Sequence, residues 1–391
     1  MTDDGIVDSE MQFENPDNQD ESDDNELAAK CAPKKKRSEF VFKTCVVENC
    51  GRIIYAVEFC NCLNDGEPII FATCGSNAVT IYECKTSGEM QLLQCYEDPN
   101  KNESFYSLTW SFDPNTLTPI LAVAGFHGII RIINPTTMTS NKHLIGHGFA
   151  VNDLKFHPEN PNLLLSASKD FSARLWNVET AVCIAVFKGL NGHKCEVLSA
   201  DFDATGSRIV TSGMDNSVRI WQLNKPEIQD AIRASYNGYR GFRTIMEHFP
   251  EYAVTDLHNK YVDCVKWMGN LILSKSNENS IVCWKPGCLQ QNTIADDSTI
   301  ASVIHKFDYV GHQYFSIRFA MNINKTYLAV GNDRGTTFVW KIDPTAKPMH
   351  LRHILCNETI RAVAFSRDSN ILIAVCDTGT VWKWDRVPTP C

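Results

Sequence analysis

Two histidine–aspartate pairs are the residues most able to do chemistry. His147 follows Gly146 and precedes Asp170 and Trp176; His193 follows Gly192 and precedes Asp215 and Trp221. An imidazole beside a carboxylate can move protons near neutral pH, so a general-base reading has to be weighed. Against it, the two sets recur in register, which is how packing residues behave. No further base is paired with a nucleophile. The G-x-x-x-x-G-K-[ST] phosphate loop, the G-x-S-x-G elbow and the H-E-x-x-H zinc helix are all absent from the sequence. The sixteen cysteines are scattered through apolar stretches with no C-x-x-C spacing; the nearest neighbours are Cys45/Cys50, Cys60/Cys62 and Cys283/Cys288. Buried free thiols in a reducing compartment account for them better than disulfides or zinc. The expectation is a non-enzymatic protein with no catalytic residues, no cofactor and no metal.

The elements that must carry these residues are short β-like runs beginning near residue 40. A polar turn followed by a strand with a bulky terminal residue recurs seven times. The terminal markers are Tyr82, Ile133, Trp176, Trp221, Trp284, Trp340 and Trp384, separated by 51, 43, 45, 63, 56 and 44 residues. An apolar run precedes each, such as Leu163–Ser168, so each pair makes a hairpin. Four strands in about 40–45 residues is the period of a WD-repeat propeller blade. In the WD-repeat family, which the Gly-His, Asp and Trp residues resemble, His, Asp and Trp join a Ser or Thr in a hydrogen-bonded network within the blade. The long intervals predict insertions at 224–258 and 286–304, and Phe40–Thr44 is a plausible strand to complete the last blade and remove its open edge. The fold class expected is all-β: a seven-bladed WD-repeat β-propeller over 39–391 behind a disordered acidic tail over 1–38.

Charge separates these two parts. Residues 1–37 hold eleven carboxylates and five bases, a balance of −6, which leaves −3 of the formal −9 for the remainder. A tail this polar cannot bury enough to order itself. Lys34-Lys35-Lys36-Arg37 is either a nuclear import signal or nucleic-acid tether, or a solvated charge run. The body lacks the dense positive surface that nucleic-acid binding needs, so no direct sequence-specific nucleic acid is expected. The acidic N-terminus does not read as a secretory signal, and no apolar run approaches the roughly 20 residues that span a bilayer. No membrane partner is expected.

Several blocks depart from a generic repeat. They include Phe71–Asn77, Ile129–Pro135, Leu154–Pro158, Tyr261–Val265, Leu273–Ser276, Ile281–Gly287 and Phe365–Ser369. In these the chain, from about residue 40 to 386, resembles the extra sex combs / embryonic ectoderm development family, the WD-repeat subunit of the Polycomb repressive methyltransferase complex. The resemblance implies a nuclear scaffold for transcriptional repression. It would seat an enhancer-of-zeste-type SET-domain methyltransferase on one face and a trimethyl-lysine histone tail peptide in an aromatic cage on the other. A trimethyl-ammonium donates no hydrogen bond, but ring faces attract it, each worth about 0.5–2 kcal/mol. The family's cage positions fall here on Tyr55, Tyr106, Phe315 and Ser316, with Arg318 and Arg361 as flanking peptide contacts. Ser316 stands where the family carries a second aromatic, a loss of about 1–2 kcal/mol or roughly tenfold in affinity. Two other readings stay open: a structural subunit of the same complex with weak or absent methyl-lysine recognition, and a general WD-repeat adaptor such as a ubiquitin-ligase substrate receptor.

Overall fold

The computed structural model describes residues 38–48, 51–63, 66–137, 139–238, 240–287, 300–311, 316–343 and 347–387. Their strands form seven sheets, each led by a first strand and antiparallel but for one added strand. These first strands are Ala56–Phe59, Phe105–Phe112, Val151–Phe156, Val197–Phe202, Val262–Met268, Phe319–Met321 and Ile360–Phe365, opening blades 1 to 7 in chain order. First strands of successive blades lie against one another, that of blade 7 against that of blade 1, and those of blades 5 and 6 meet where Cys264 Sγ lies 4.0 Å from Phe319 O. The first strands therefore surround a central channel, and the fold is a seven-bladed β-propeller.

Packing explains the closure. Seven apolar clusters each join two neighbouring blades; Leu165, Leu175 and Phe187 of blade 3, for instance, meet Val197, Phe202 and Trp221 of blade 4. The cluster that closes the ring sets Ile54, Phe59 and Phe71 against Ile373 and Val375 of blade 7. The second strands feed the core on both faces, so Leu163–Ser168 is buried throughout, as expected of continuous apolar runs. Each turn from second to third strand needs one residue with a positive φ: Ser76, Gly128, Phe171, Asn216, Asn279, Gly335 and Gly379. The sequence markers all lie in third strands, one or two residues before the strand ends.

The last blade is completed from the front of the chain. Phe40–Val47 pairs antiparallel with Thr380–Arg386, Phe40 opposite Arg386 and Val47 opposite Thr380. Its first ring is 1% exposed and meets Tyr327 and Phe365 with centroids 5.7 and 6.1 Å away. The strand runs three residues beyond the Phe40–Thr44 that the sequence suggested.

The 224–258 insertion is built into the propeller. Its helix, Pro226–Ser235, starts with proline in the first turn, where the missing N–H costs nothing, and buries Ile228 and Ala231 in the cluster between blades 3 and 4. Ile245–Glu247 then adds a fifth, parallel strand to blade 3, and Tyr252–Val254 supplies the fourth strand of blade 4. Of the 286–304 insertion, residues 288–299 lie outside the described residues, as does the tail over 1–37.

Candidate functional site

The histidine–aspartate pairs are engaged inside their blades. His147 Nδ1 lies 2.8 Å from Asp170, its Nε2 lies 2.6 Å from Ser166 Oγ, and Trp176 Nε1 donates to the same oxygen at 2.8 Å. In blade 4, His193 joins Asp215 at 3.0 Å and Thr211 at 2.8 Å, and Trp221 donates to Thr211 at 3.0 Å. The sequence reading missed a third network in blade 5. There His258 contacts Ser274 at 2.7 Å and Glu278 at 3.4 Å, and Trp284 donates to Ser274 at 3.0 Å. A glutamate for the aspartate and Leu257 for the preceding glycine hid it.

Burial pushes all three imidazoles down from their usual range, His258 to about 4. Burial would raise Asp170 and Asp215, but the hydrogen bonds from His147 and His193 outweigh it and hold both well below the ordinary carboxyl range. A histidine with a lowered folded pKa is protonated first in the unfolded chain. Its stability contribution is therefore complete above about pH 6.5 and is lost as pH falls toward the folded value. Between pH 7 and 5, His258 alone should cost about 2 kcal/mol, with further loss from His147 and His193. The two aspartates add theirs only below about pH 4. Urea unfolding at pH 7 and 5 reads this directly; equal midpoints would contradict neutral buried imidazoles.

A different constellation opens to solvent at one mouth of the channel. In five blades the ladder between first and second strands skips one residue: Tyr106, Asn152, Leu198, Asp263 and Arg361. Such a bulge re-aims the extra residue. All five line one cavity of about 270 Å³, together with Tyr55, Lys169, Ser316 and Arg318. Each blade thus contributes to it, and residues far apart in sequence share one rim.

Tyr55 precedes the first strand of blade 1 and is anchored by its N–H on Cys74 O at 2.9 Å. Its ring lies 5.1 Å from that of Tyr106 at an interplanar angle of 78°, so two aromatic walls stand nearly at right angles. Burial raises both phenols above their usual pKa, and for Tyr106 the neighbouring Tyr55 adds to it. Both stay neutral at physiological pH. Ser316 lies in the same lining, with φ of 68°, its N–H donating to Asp263 Oδ2 at 3.0 Å. Phe315 lies outside the described residues.

The two arginines are held by the propeller itself. Arg318 reaches across the channel from blade 6 to Asp153 Oδ2 at 2.8 Å, Asn152 O at 2.6 Å and Leu198 O at 3.0 Å. Burial opposes the charge on each partner of this ion pair, yet the pairing wins: it raises Arg318 and lowers Asp153. Arg361 grips Asp377 through Nε at 2.5 Å and through its terminal nitrogen at 2.7 Å. Behind the cavity, fully buried Lys275 meets both oxygens of Asp263 at 2.7 and 2.9 Å. Sequence reasoning missed Asp263, Lys275 and Asn152; the one available signal was a lysine inside the apolar run Leu271–Ser276.

Comparison with known proteins identifies the family and the fold. The model described as "WD domain, G-beta repeat" matches residues 138–177, 182–222 and 349–385. Polycomb protein esc of Drosophila melanogaster is 44% identical over 366 residues, covering 91% of this chain and 86% of that protein. Polycomb group protein FIE1 of rice, Oryza sativa subsp. japonica, is 38% identical, with 92% and 94% covered. The chain belongs to the Polycomb esc/FIE family. Solved structures share the family fold. A chain of the Chaetomium thermophilum polycomb repressive complex 2 superposes with a TM-score of 0.77 at 20% identity, covering 89% of this chain and 98% of that one. A chain of ctPRC2 in complex with H3K27me3 and H3K27M gives the same TM-score at 19% identity and the same coverage.

Proposed function

We propose that this esc/FIE-family propeller is the non-catalytic scaffold subunit of a Polycomb-type histone methyltransferase complex, acting in the nucleus in transcriptional repression. It takes a methylated lysine of a histone tail into the Tyr55–Tyr106 cavity and seats an enhancer-of-zeste-type SET-domain subunit on its other face. The observation that carries the reading is the pair of perpendicular, neutral phenol rings lining a cavity open at the channel mouth. Methyl groups shed water against ring faces, and the cation beneath them is drawn to the ring quadrupole. The Polycomb names of the relatives and the H3K27me3-bound complex among the structural neighbours supply the biological setting.

Co-expression with an enhancer-of-zeste-type subunit tests the scaffold role: a stable, co-eluting complex is expected, whereas a cullin-linked adaptor recovered instead would favour ubiquitin-ligase recruitment. Tyr55→Ala or Tyr106→Ala should each weaken methylated-peptide binding about tenfold, one desolvated wall's worth, while the complex still co-elutes. Calorimetry with an H3K27me3 peptide measures the first effect. The serine at position 316 favours the second reading, a structural subunit without mark recognition; methylated and unmodified peptides binding alike would establish it.

A further inference from the structure

Two thiols at the junction of blades 6 and 7 are placed to react with each other. Cys356 Sγ lies 3.8 Å from Cys376 Sγ. Both are buried in the cluster that Leu351, Ile360 and Trp382 also form. Cys376 ends the second strand of blade 7, Ile371–Cys376, which is paired on both sides. Cys356 lies instead in the connection between Met349–Arg352 and Ile360–Phe365. Its neighbours Ile354, Leu355, Asn357 and Glu358 are all exposed. An exposed connection opens locally at less cost than a paired strand. Its thiol can therefore meet a small oxidant that a rigid core would shut out.

The hydrogen bond between the two sulfurs divides their roles. Donated by the Cys376 thiol, it pulls Cys356 below the ordinary thiol range although burial opposes it; the same bond, with burial, pushes Cys376 up. Cys356 is the thiolate of the pair, and the thiolate is the nucleophile. A third thiol, the half-buried Cys45, packs against the same cluster, but burial and then Cys356 push it up, so it stays protonated. We propose that Cys356 and Cys376 form a peroxide-oxidisable pair, Cys356 attacking and Cys376 resolving, that closes to a reversible disulfide between the blade 6–7 connection and blade 7. Cys356 attacks one oxygen of hydrogen peroxide and breaks the O–O bond, giving a sulfenic acid and a hydroxide that takes a proton from solvent. The Cys376 sulfur then attacks the sulfenic sulfur, and its proton leaves with the hydroxyl as water. The two sulfurs give up two electrons and the peroxide takes them. Closure brings the sulfurs from 3.8 Å to about 2.05 Å. The link spans 20 positions of the chain, a loop whose closure restricts the unfolded state. None of this depends on whether the propeller binds methyl-lysine.

Peptide mapping by mass spectrometry tests this on the full chain, treated with hydrogen peroxide and digested without reductant, among all sixteen cysteines. A Cys356–Cys376 link is expected, released by dithiothreitol, and the linked protein should unfold at a higher urea concentration than the reduced one. In Cys376→Ser the sulfenic acid has no resolving partner, so dimedone should label Cys356. In Cys356→Ser, dimedone should leave Cys376 unlabelled. No Cys356–Cys376 link in the peroxide-treated parent, or Cys356 joined to Cys45 in its place, overturns the proposal, and neither result depends on how the serine variants fold. Dimedone on Cys376 in the Cys356→Ser protein would overturn the assignment of Cys356 as the attacking thiol.

Discussion

Lys275→Met is expected to destabilise the propeller by about 3–5 kcal/mol, the loss that follows when one partner of a buried ion pair is removed and the other is left uncompensated. Neither partner has an exposed side chain to relax toward water: Lys275 is 0% and Asp263 1% accessible. The same pair sits behind the cavity, where Asp263 Oδ2 holds the Ser316 N–H. The variant should therefore lose peptide affinity along with stability. Adding Asp263→Leu removes the stranded carboxylate and should restore much of the stability, because apolar replacement of a buried pair is often neutral or better. It should not restore peptide binding, since Ser316 has lost its backbone anchor. Denaturant unfolding of the single and double variants, followed by peptide titration, separates these effects. A single variant as stable as the parent would mean that the charge on Asp263 finds another partner.

Deleting residues 39–46 should be the most damaging change of all, yielding aggregated protein. The segment supplies nearly the whole strand that pairs with Thr380–Arg386, and its removal opens an edge that can pair with another copy. It also empties the slot filled by Phe40, roughly 2–3 kcal/mol of apolar burial. The anchor of Glu39 on Tyr327 at 2.7 Å and on Lys341 at 2.5 Å goes with it. Size exclusion with light scattering should show large, polydisperse species. A soluble, monodisperse truncation would refute the view that ring closure depends on this strand. Supplying the segment as a separate peptide during refolding should recover part of the monomer.

The legible part of the fold was the part that repeats. Trp176, Trp221, Trp284, Trp340 and Trp384 mark third strands because a bulky side chain filling the space between blades is a requirement renewed once per blade, met by Tyr82 and Ile133 in blades 1 and 2. Where that need was met differently the sequence misled. Tyr252–Val254 is only three residues long, too short to announce itself as the outer strand of blade 4, and the preceding helix interrupts the β period altogether. The third histidine network escaped because Glu278 does the work of an aspartate. At the site, the resemblance supplied Tyr55, Tyr106 and Ser316, but nothing in the local pattern says where they meet. That depends on a bulge at the same point of successive first strands, as at Tyr106, Asn152 and Leu198. A bulge is a property of pairing between strands, invisible in either strand alone. The resemblance makes Arg318 a contact flanking the peptide, but no local pattern shows that its partners come from blades 3 and 4 across the channel.

Proton NMR of a peptide carrying N-methylated lysine, recorded with and without the protein, probes the rim most directly. Methyl groups seated on the faces of Tyr55 and Tyr106 should move upfield through the ring currents of both phenols, and in Tyr55→Ala/Tyr106→Ala that movement should vanish. Methyl resonances that stay in place while the peptide binds, or that shift equally in the doubly substituted protein, would show that these rings do not hold the methylated lysine.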